Sequence, residues 1–307
     1  MRGFVDLQVN GYAGVDFNSP IPLRAEQVVA MCQRLKSDGV SQILATVITA
    51  PLDAMIARIS RISALIDQIP EVADRVAGIH VEGPFISPVE GFVGAHPRDS
   101  VRKANLSDAN RLLDAGGEHV RLVTLAPEMD EGAGLTRSLT DGGIVVAAGH
   151  SDASLDQLKE SIDSGLQLFT HLGNGCPGWL HRHDNIVQRV LSLSDRLSVS
   201  FIADGHHVPT FALANYLRRV PQENAIVVTD AISAAGLPPG RYELSDQIVE
   251  VDPDRAAWAA GRKHFAGCAT TMPEMVDILK TRIQATDSQI ERWTITNPER
   301  LMGSSSS

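Results

Sequence analysis

Residues 144–171 read IVVAAGHSDASLDQLKESIDSGLQLFTH, and this stretch decides the architecture. Two apolar runs, IVVAAG (144–149) and LQLFTH (166–171), flank a helix-like segment over 154–164. Neither run alternates polar with apolar residues, as expected of parallel strands buried on both faces. Gly165 sits where the intervening helix should stop. The unit is strand, helix, strand, and each strand runs out on a histidine, His150 and His171.

The same alternation extends to both ends of the chain. Further strand-like runs are FVDLQV (4–9), VSQILATVI (40–48), VAGIHVE (76–82), VRLVTL (120–125), LSVSFIAD (197–204) and AIVVTD (225–230). Helix-like segments fall at 26–37, 54–68, 107–115 and 209–219, with Gly39, Gly116–Gly117 and Gly142–Gly143 at expected helix ends. Eight strands, each followed by a crossover, is the arithmetic of a (β/α)8 TIM barrel. A doubly wound open sheet would not need eight. Length alone, at ~150 residues per domain, suggests two domains, but a barrel uses ~250 as one unit. No repeat, linker or low-complexity segment divides the 307 residues, so 1–303 reads as a single barrel domain and 304–307 (SSSS) as a flexible tail. Residues 236–262 break the pattern. Their Pro-Pro-Gly turn and short alternating segments predict a β-hairpin excursion after strand eight. A helix over 272–285 and a short one over 297–302 follow.

Composition narrows the function. With 43% hydrophobic and 21% charged residues the chain has an ordinary core, which argues against disorder. Lys+Arg 27 against Asp+Glu 37 leaves a formal charge of −10, which repels nucleic-acid phosphates and anionic lipid. Any anionic substrate must be gripped by a few local cations. Cys32, Cys176 and Cys268 are odd in number and widely spaced, a poor disulfide framework that suits a reducing cytoplasm. The N-terminus meets Asp6 before an apolar run can build, so no signal peptide is expected, and no stretch is long and apolar enough to span a membrane.

In a barrel the strand ends aim their last side chains into the active site. Here they supply Gln8 and Asn10, Glu82, His150, His171, Asp204 with His207, and Asp230. Glu82, His150 and His171 are a carboxylate and two imidazoles, the ligand mix of a catalytic divalent ion with an open position for water. Asp230 either caps the next helix or acts as a general base. His96, in GFVGAHPRD after strand three, is either a surface histidine or an oxyanion donor. Arg182, after the GNGCPGW loop, and His207 are the candidate anion clamp, the alternative being a solvated basic loop. His80, His119, His181, His183, His206 and His264 read as core or surface residues. Cys176 and Cys268 lie near the mouth without a convincing nucleophilic Cys-His pair.

The ordered segments FVDLQVNGYAGVDFN, GIHVEGPFISP, GAH, AAGHSDAS, FTHLGNGCP, FIADGHHV, VVTDAISAAG and FAGCATTM resemble N-acetylglucosamine-6-phosphate deacetylases of the amidohydrolase superfamily. The resemblance runs from about Phe4 to Gly303. It implies a metal-bearing barrel that hydrolyses the acetamide of an amino-sugar phosphate, with Glu82, His150 and His171 as ligands of one divalent ion. Zinc is the expected metal, with Fe, Co and Mn compatible with the same ligands. It implies that Asp230 activates the water and protonates the leaving amine, and that His96 polarises the carbonyl. Asn174, Gly175, Arg182 and His207 would hold sugar and phosphate, and Ala95 with Gly267 and Cys268 of FAGC would line the sugar pocket. A homodimer is implied, because the matching arginine of relatives can reach across a dimer interface.

Three departures qualify the match. Gln8 and Asn10 replace the His-x-His pair of many amidohydrolases; neutral amides are weak ligands, so a single-metal site is expected with both residues near but not on the metal. The loop THLGNGCPGWLHRHDN differs from relatives around Arg182, which leaves open a different N-acetylated sugar or an N-acyl amino acid as substrate. The chain also begins at strand one, so a short form without the flanking β-sandwich is expected. A barrel that only binds sugar phosphate is the remaining alternative.

Overall fold

A computed structural model describes residues 2–244, 247–262 and 265–303; the expected flexible tail at 304–307 and His264 lie outside the described residues. Eight parallel strands form one sheet in consecutive order. They are β1 (Phe4–Val9), β2 (Val40–Ile48), β3 (Val76–Glu82), β4 (Val120–Leu125), β5 (Val145–Ala148), β6 (Leu166–Phe169), β7 (Ser198–Ile202) and β8 (Ala225–Val228). Each is followed in sequence by a helix: α1 (Ala25–Ser37), α2 (Leu52–Gln68), α3 (Leu106–Gly116), α4 (Gly134–Asp141), α5 (Leu155–Asp163), α6 (Ile186–Ser192), α7 (Thr210–Arg219) and, after an excursion, α8 (Met272–Ile278). This is the (β/α)8 barrel the strand arithmetic predicts.

The β5–α5–β6 unit shows how local sequence sets the geometry. Ser154 and Gln157 form a reciprocal cap: the Gln157 N–H donates to Ser154 Oγ at 3.2 Å and the Ser154 N–H to Gln157 Oε1 at 2.9 Å. Gly165 ends the helix at φ 108°. A Cβ there would lie 2.5 Å from Thr140 Cγ2, so glycine is required on two counts. β5 and β8 are buried at every residue, which explains their lack of alternation.

Closure of the barrel uses a side chain. Ladder hydrogen bonds join consecutive strands, while β1 meets the end of β8 through Asp6. Its carboxylate accepts the Thr229 N–H at 3.1 Å and the Thr229 hydroxyl at 2.5 Å. The N–H groups of Asn10 and Gly11 then donate to Ala231 O at 2.8 and 3.0 Å.

Two expectations change in detail. The excursion is larger than a hairpin: β9 (Gly240–Leu244), β10 (Gln247–Val251), β11 (Ala256–Ala259) and β12 (Phe265–Cys268) form a four-stranded antiparallel sheet. Its last strand returns to the barrel, where Cys268 O accepts the Ile232 N–H at 2.9 Å. The helix expected over 272–285 is α-helical only to Ile278, continues as a π-helical turn over Leu279–Ile283, and stops at Gln284 with φ 61°. The short helix expected over 297–302 is present at Asn297–Leu301. Among the described residues no helix is long and apolar enough to cross a membrane.

Burial raises the Asp6 carboxyl from 3.8 to about 7, against the pull of its hydrogen bonds with Thr229. A proton held more tightly in the folded than in the unfolded chain favours folding at low pH, and that contribution is lost as pH rises through this window. Calorimetric melting between pH 4 and 7.5 should therefore show wild type losing stability with pH relative to Asp6→Asn. Parallel pH profiles for the two proteins would refute the assignment.

Candidate active site

The site residues sit just beyond the strands. β5, β6, β7 and β8 end at Ala148, Phe169, Ile202 and Val228, and His150, His171, Asp204 and Asp230 each follow two residues later. His150, His171 and Asp230 adopt positive φ of 51°, 33° and 50°. Such backbone costs on the order of 1–3 kcal/mol per residue and persists only where the surroundings over-determine it. The turns at the C-terminal ends of β5, β6 and β8 are thus strained in the same way, each at a chemistry-bearing residue.

Glu82, His150 and His171 converge. Glu82 Oε1 lies 2.9 Å from His171 Nε2 and 3.3 Å from His150 Nε2, and all three side chains are buried. Burial disfavours charge on Glu82, but hydrogen bonds and charge from the two histidines hold it well below the usual carboxylate range. On His171 burial is likewise outweighed, by Glu82, and its protonated form is favoured.

The donor set fits a divalent cation. His150 Nδ1 lies 2.9 Å from Phe92 O, and a carbonyl can only accept, so Nδ1 carries a proton and Nε2 is the nitrogen turned toward Glu82. A ring oriented in this way can offer its Nε2 lone pair, alongside the carboxylate, to a cation between them. Gly94 and Gly175 are packed against the same ring: a Cβ on Gly175 would lie 3.0 Å from His150 Nδ1 and 3.3 Å from His171 Cε1.

Gln8 and Asn10 hold the site together by hydrogen bonds. Gln8 Nε2 donates to Glu82 Oε1 at 3.0 Å while its Oε1 accepts from the Thr170 hydroxyl at 2.7 Å, which fixes the amide orientation. Asn10 Nδ2 donates to Asp230 Oδ1 at 2.7 Å. Burial raises the Asp230 carboxyl above its ordinary value, with the nearby Glu82 charge adding to the rise.

His96 is buried, and its ring centroid lies 4.3 Å from that of His150. Its Nδ1 receives the Thr49 N–H at 3.3 Å and contacts the Thr49 hydroxyl at 2.8 Å. A backbone N–H can only donate, so the ring proton belongs on Nε2. Burial and the neighbouring His150 lower this imidazole to about 3, so it is neutral at physiological pH.

The remaining expected residues are dispersed. Asn174 and Gly175 are half-buried beside the histidines, and the Asn174 N–H donates to His171 O at 2.9 Å. His207 pairs with Asp204 (Nδ1–Oδ2 2.6 Å), and Cys268 lies close to both. Gly267, at φ 110°, packs on Ile232. Ala95 and Arg182 are exposed, and among the described residues Arg182 has no ion-pair partner. His80 is a core residue between Thr46 and Thr124. Thr49, Thr170 and the Phe92 carbonyl are site components that residue type did not reveal. So is Glu128, which accepts from the Ser151 hydroxyl at 2.6 Å and the Asp152 N–H at 2.7 Å and so fixes the turn after His150.

A parallel (β/α)8 barrel with one carboxylate and two imidazoles gathered at the C-terminal ends of its strands defines a metal-dependent hydrolase of the amidohydrolase type. Comparison with known proteins agrees. N-acetylglucosamine-6-phosphate deacetylase from Homo sapiens is 36% identical over 318 residues, covering 98% of this chain and 74% of that protein. N-acetylgalactosamine-6-phosphate deacetylase from Escherichia coli O157:H7 is 29% identical, covering 98% and 77%. Among solved structures, an aspartate-to-alanine variant of the Mycobacterium smegmatis N-acetyl-D-glucosamine-6-phosphate deacetylase, in complex with N-acetyl-D-glucosamine-6-phosphate, has a TM-score of 0.85 at 27% identity, covering 98% of this chain and 77% of that one. No family model matches the chain. The chain belongs to the N-acetylglucosamine-6-phosphate deacetylase family.

Gln8 orients Glu82 through its hydrogen bond to the carboxylate. Gln8→Leu should keep the fold and weaken divalent-metal affinity by about 10- to 100-fold, the usual effect of removing a partner of a metal ligand. Competition with a chromophoric chelator measures it, and unchanged affinity would remove Gln8 from the site.

Proposed function

We propose that the protein hydrolyses the acetamide of N-acetylglucosamine 6-phosphate to glucosamine 6-phosphate and acetate. The observation that carries this reading is the placement of a buried Asp230, its proton affinity raised by burial, and a neutral His96 on a barrel mouth that also holds Glu82, His150 and His171. Those last three would hold one divalent ion, with zinc the first candidate from the nitrogen and oxygen donors. When bound, such an ion supplies Lewis acidity to the water and the carbonyl.

The chain's own residues account for the proton traffic. Asp230, steadied by Asn10, takes a proton from water as its oxygen attacks the acetamide carbon. It returns that proton to the nitrogen as the C–N bond breaks, which gives a neutral amine and acetic acid, and the acid then loses its proton to solvent as acetate. His96, with its proton on Nε2, donates to the carbonyl oxygen as negative charge builds there. Because its pKa is near 3, it does so as a neutral donor throughout the physiological range.

Asn174, Gly175 and His207 are assigned to the sugar phosphate, with Ala95, Gly267 and Cys268 lining the sugar. Arg182 is assigned to the phosphate from a mobile or neighbouring position, which its exposure and lack of a partner favour, as does Trp179 beside it at 96% exposure. A homodimer in which this loop reaches a second copy is part of the same proposal. Residues 1–303 are taken as one barrel unit around a shared apolar core. Three unpaired cysteines suit a cytoplasmic setting. A second reading keeps the chemistry and changes the sugar to N-acetylgalactosamine 6-phosphate, which the relative named for that activity favours.

Asp230→Asn should retain bound metal and lose on the order of 10³-fold in kcat. Acetate release and metal content measured on the same sample decide it, and near-normal turnover sinks the mechanism. Arg182→Ala should raise KM for the phosphorylated sugar and leave an unphosphorylated N-acetyl sugar unaffected. Equal effects on both substrates would remove Arg182 from phosphate recognition. The ratio of kcat/KM between the gluco and galacto epimers separates the two sugar readings.

A further inference from the structure

A second group of metal-binding side chains lies apart from the Glu82 centre. Asp204 follows β7, His207 comes three residues later, and Cys268 ends β12. One carboxylate oxygen, one ring nitrogen and the Cys268 sulfur all lie within 4.8 Å of one another. Asp204 and Cys268 are 3% and 1% exposed, and the His207 side chain is 9% exposed, so the group is enclosed but reachable from the mouth.

We propose that Asp204, His207 and Cys268 form a second cation site, selective for a thiophilic divalent metal such as Cd2+ or Zn2+. Thiolate, imidazole and carboxylate together are a donor set for such ions, whereas the Glu82 centre offers no sulfur. Ligand atoms around a tetrahedral ion of this kind stand roughly 3.5 Å apart, so the wider separations, at most 4.8 Å, would close by about an ångström while the Asp204 Oδ2–His207 Nδ1 pair, at 2.6 Å, would open by about as much. Asp204 is already fixed: its Oδ1 takes the N–H groups of His206 and His207 at 2.9 and 3.0 Å, and its Oδ2 meets His207 Nδ1 at 2.6 Å. The sulfur, by contrast, is held only loosely, by a weak contact at 3.7 Å with Thr270 O and the neighbouring buried Thr270 hydroxyl, which makes no full hydrogen bond.

The charges favour a ligand over a nucleophile. Burial, then the Asp204 and Asp230 carboxylates, push the Cys268 thiol well above its ordinary value. The same negative field that keeps the proton on sulfur attracts a divalent ion able to displace it. On binding, the thiol proton leaves the sulfur, and the proton on the ligating ring nitrogen goes to solvent. Since His207 is also assigned to the sugar phosphate, an ion here would exclude substrate, a consequence that rests on the deacetylase reading although the site does not.

Cd2+ titration of the metal-loaded protein tests the site by a signal independent of acetate release. A thiolate-to-Cd2+ charge-transfer band in the ultraviolet should grow and saturate at one Cd2+ per chain. Cys268→Ser should abolish the band, Cys176→Ser should keep it, and His207→Gln should weaken Cd2+ affinity by about tenfold or more. His207 lies at the edge of the cluster, so that variant serves even if Cys268→Ser does not fold. No band in the wild type, an undiminished band in Cys268→Ser, or unchanged affinity in His207→Gln overturns the proposal.

Discussion

The side chains of β1 that face the barrel axis are the constraint on which the site depends. Asp6, Gln8 and Asn10 alternate along the strand and its extension, so they share one face. Asp6 binds Thr229, Gln8 binds Glu82 and Thr170, and Asn10 binds Asp230. One strand thus ties together the ends of β3, β6 and β8. The Asp6 contact also closes the barrel, because it joins β1 to the residue immediately before Asp230. Loosening it would open the seam and displace Asp230 together, so stability and site geometry are coupled through one buried carboxylate.

That arrangement gives the amides at positions 8 and 10 a positive role. A histidine at either place would bring another imidazole to a centre that already gathers His96, His150 and His171 in edge-to-face contact, with ring centroids 4.3 and 4.9 Å apart along the series. Amides instead offer a donor to each carboxylate and add no charge. Gln8 stabilises ionised Glu82, and Asn10 partly offsets the burial that raises Asp230. The two carboxylates are therefore pushed apart in proton affinity by their surroundings. Glu82 is tuned toward ligation and Asp230 toward proton transfer, the separation that lets a pair of like groups take different parts in one reaction.

Much of this was legible in the sequence, for identifiable reasons. Parallel strands buried on both faces leave largely apolar runs, so most of the eight stood out by their lack of regular alternation, and glycines marked the helix ends. Glu82, His150, His171 and Asp230 stood out because polar, titratable residues at the ends of such runs have few structural uses. Strand ends were less legible: His150 and His171 looked like last strand residues, and only their positive φ shows that they belong to turns. Thr49, Thr170 and Thr229 were invisible because threonine is an ordinary strand residue, and the Phe92 carbonyl that orients His150 carries no side-chain signature at all. The β11–β12 pair was missed because AAWA and FAGC are too small and too short to alternate clearly.

The two cations expected to grip an anion differ in setting: His207 is paired with Asp204 at 2.6 Å, while Arg182 stands exposed in its loop. Burial disfavours charge on His207, but Asp204 outweighs it and raises the imidazole above its ordinary value, so the charged form is favoured and is neutralised as a pair. A neutralised pair offers a phosphate hydrogen bonds and little net attraction. In a chain of net charge −10 the long-range pull on an anionic sugar must then come from cations without partners, and Arg182, which among the described residues has no ion-pair partner, lies in the loop that follows Asn174 and Gly175. Under the proposed function, orientation and attraction are divided: the buried pair and the loop backbone orient the sugar phosphate, and an exposed arginine supplies the field. Raised ionic strength should screen the second and spare the first, because exposed charges are screened within a Debye length of ~8 Å at physiological salt and buried ones much less.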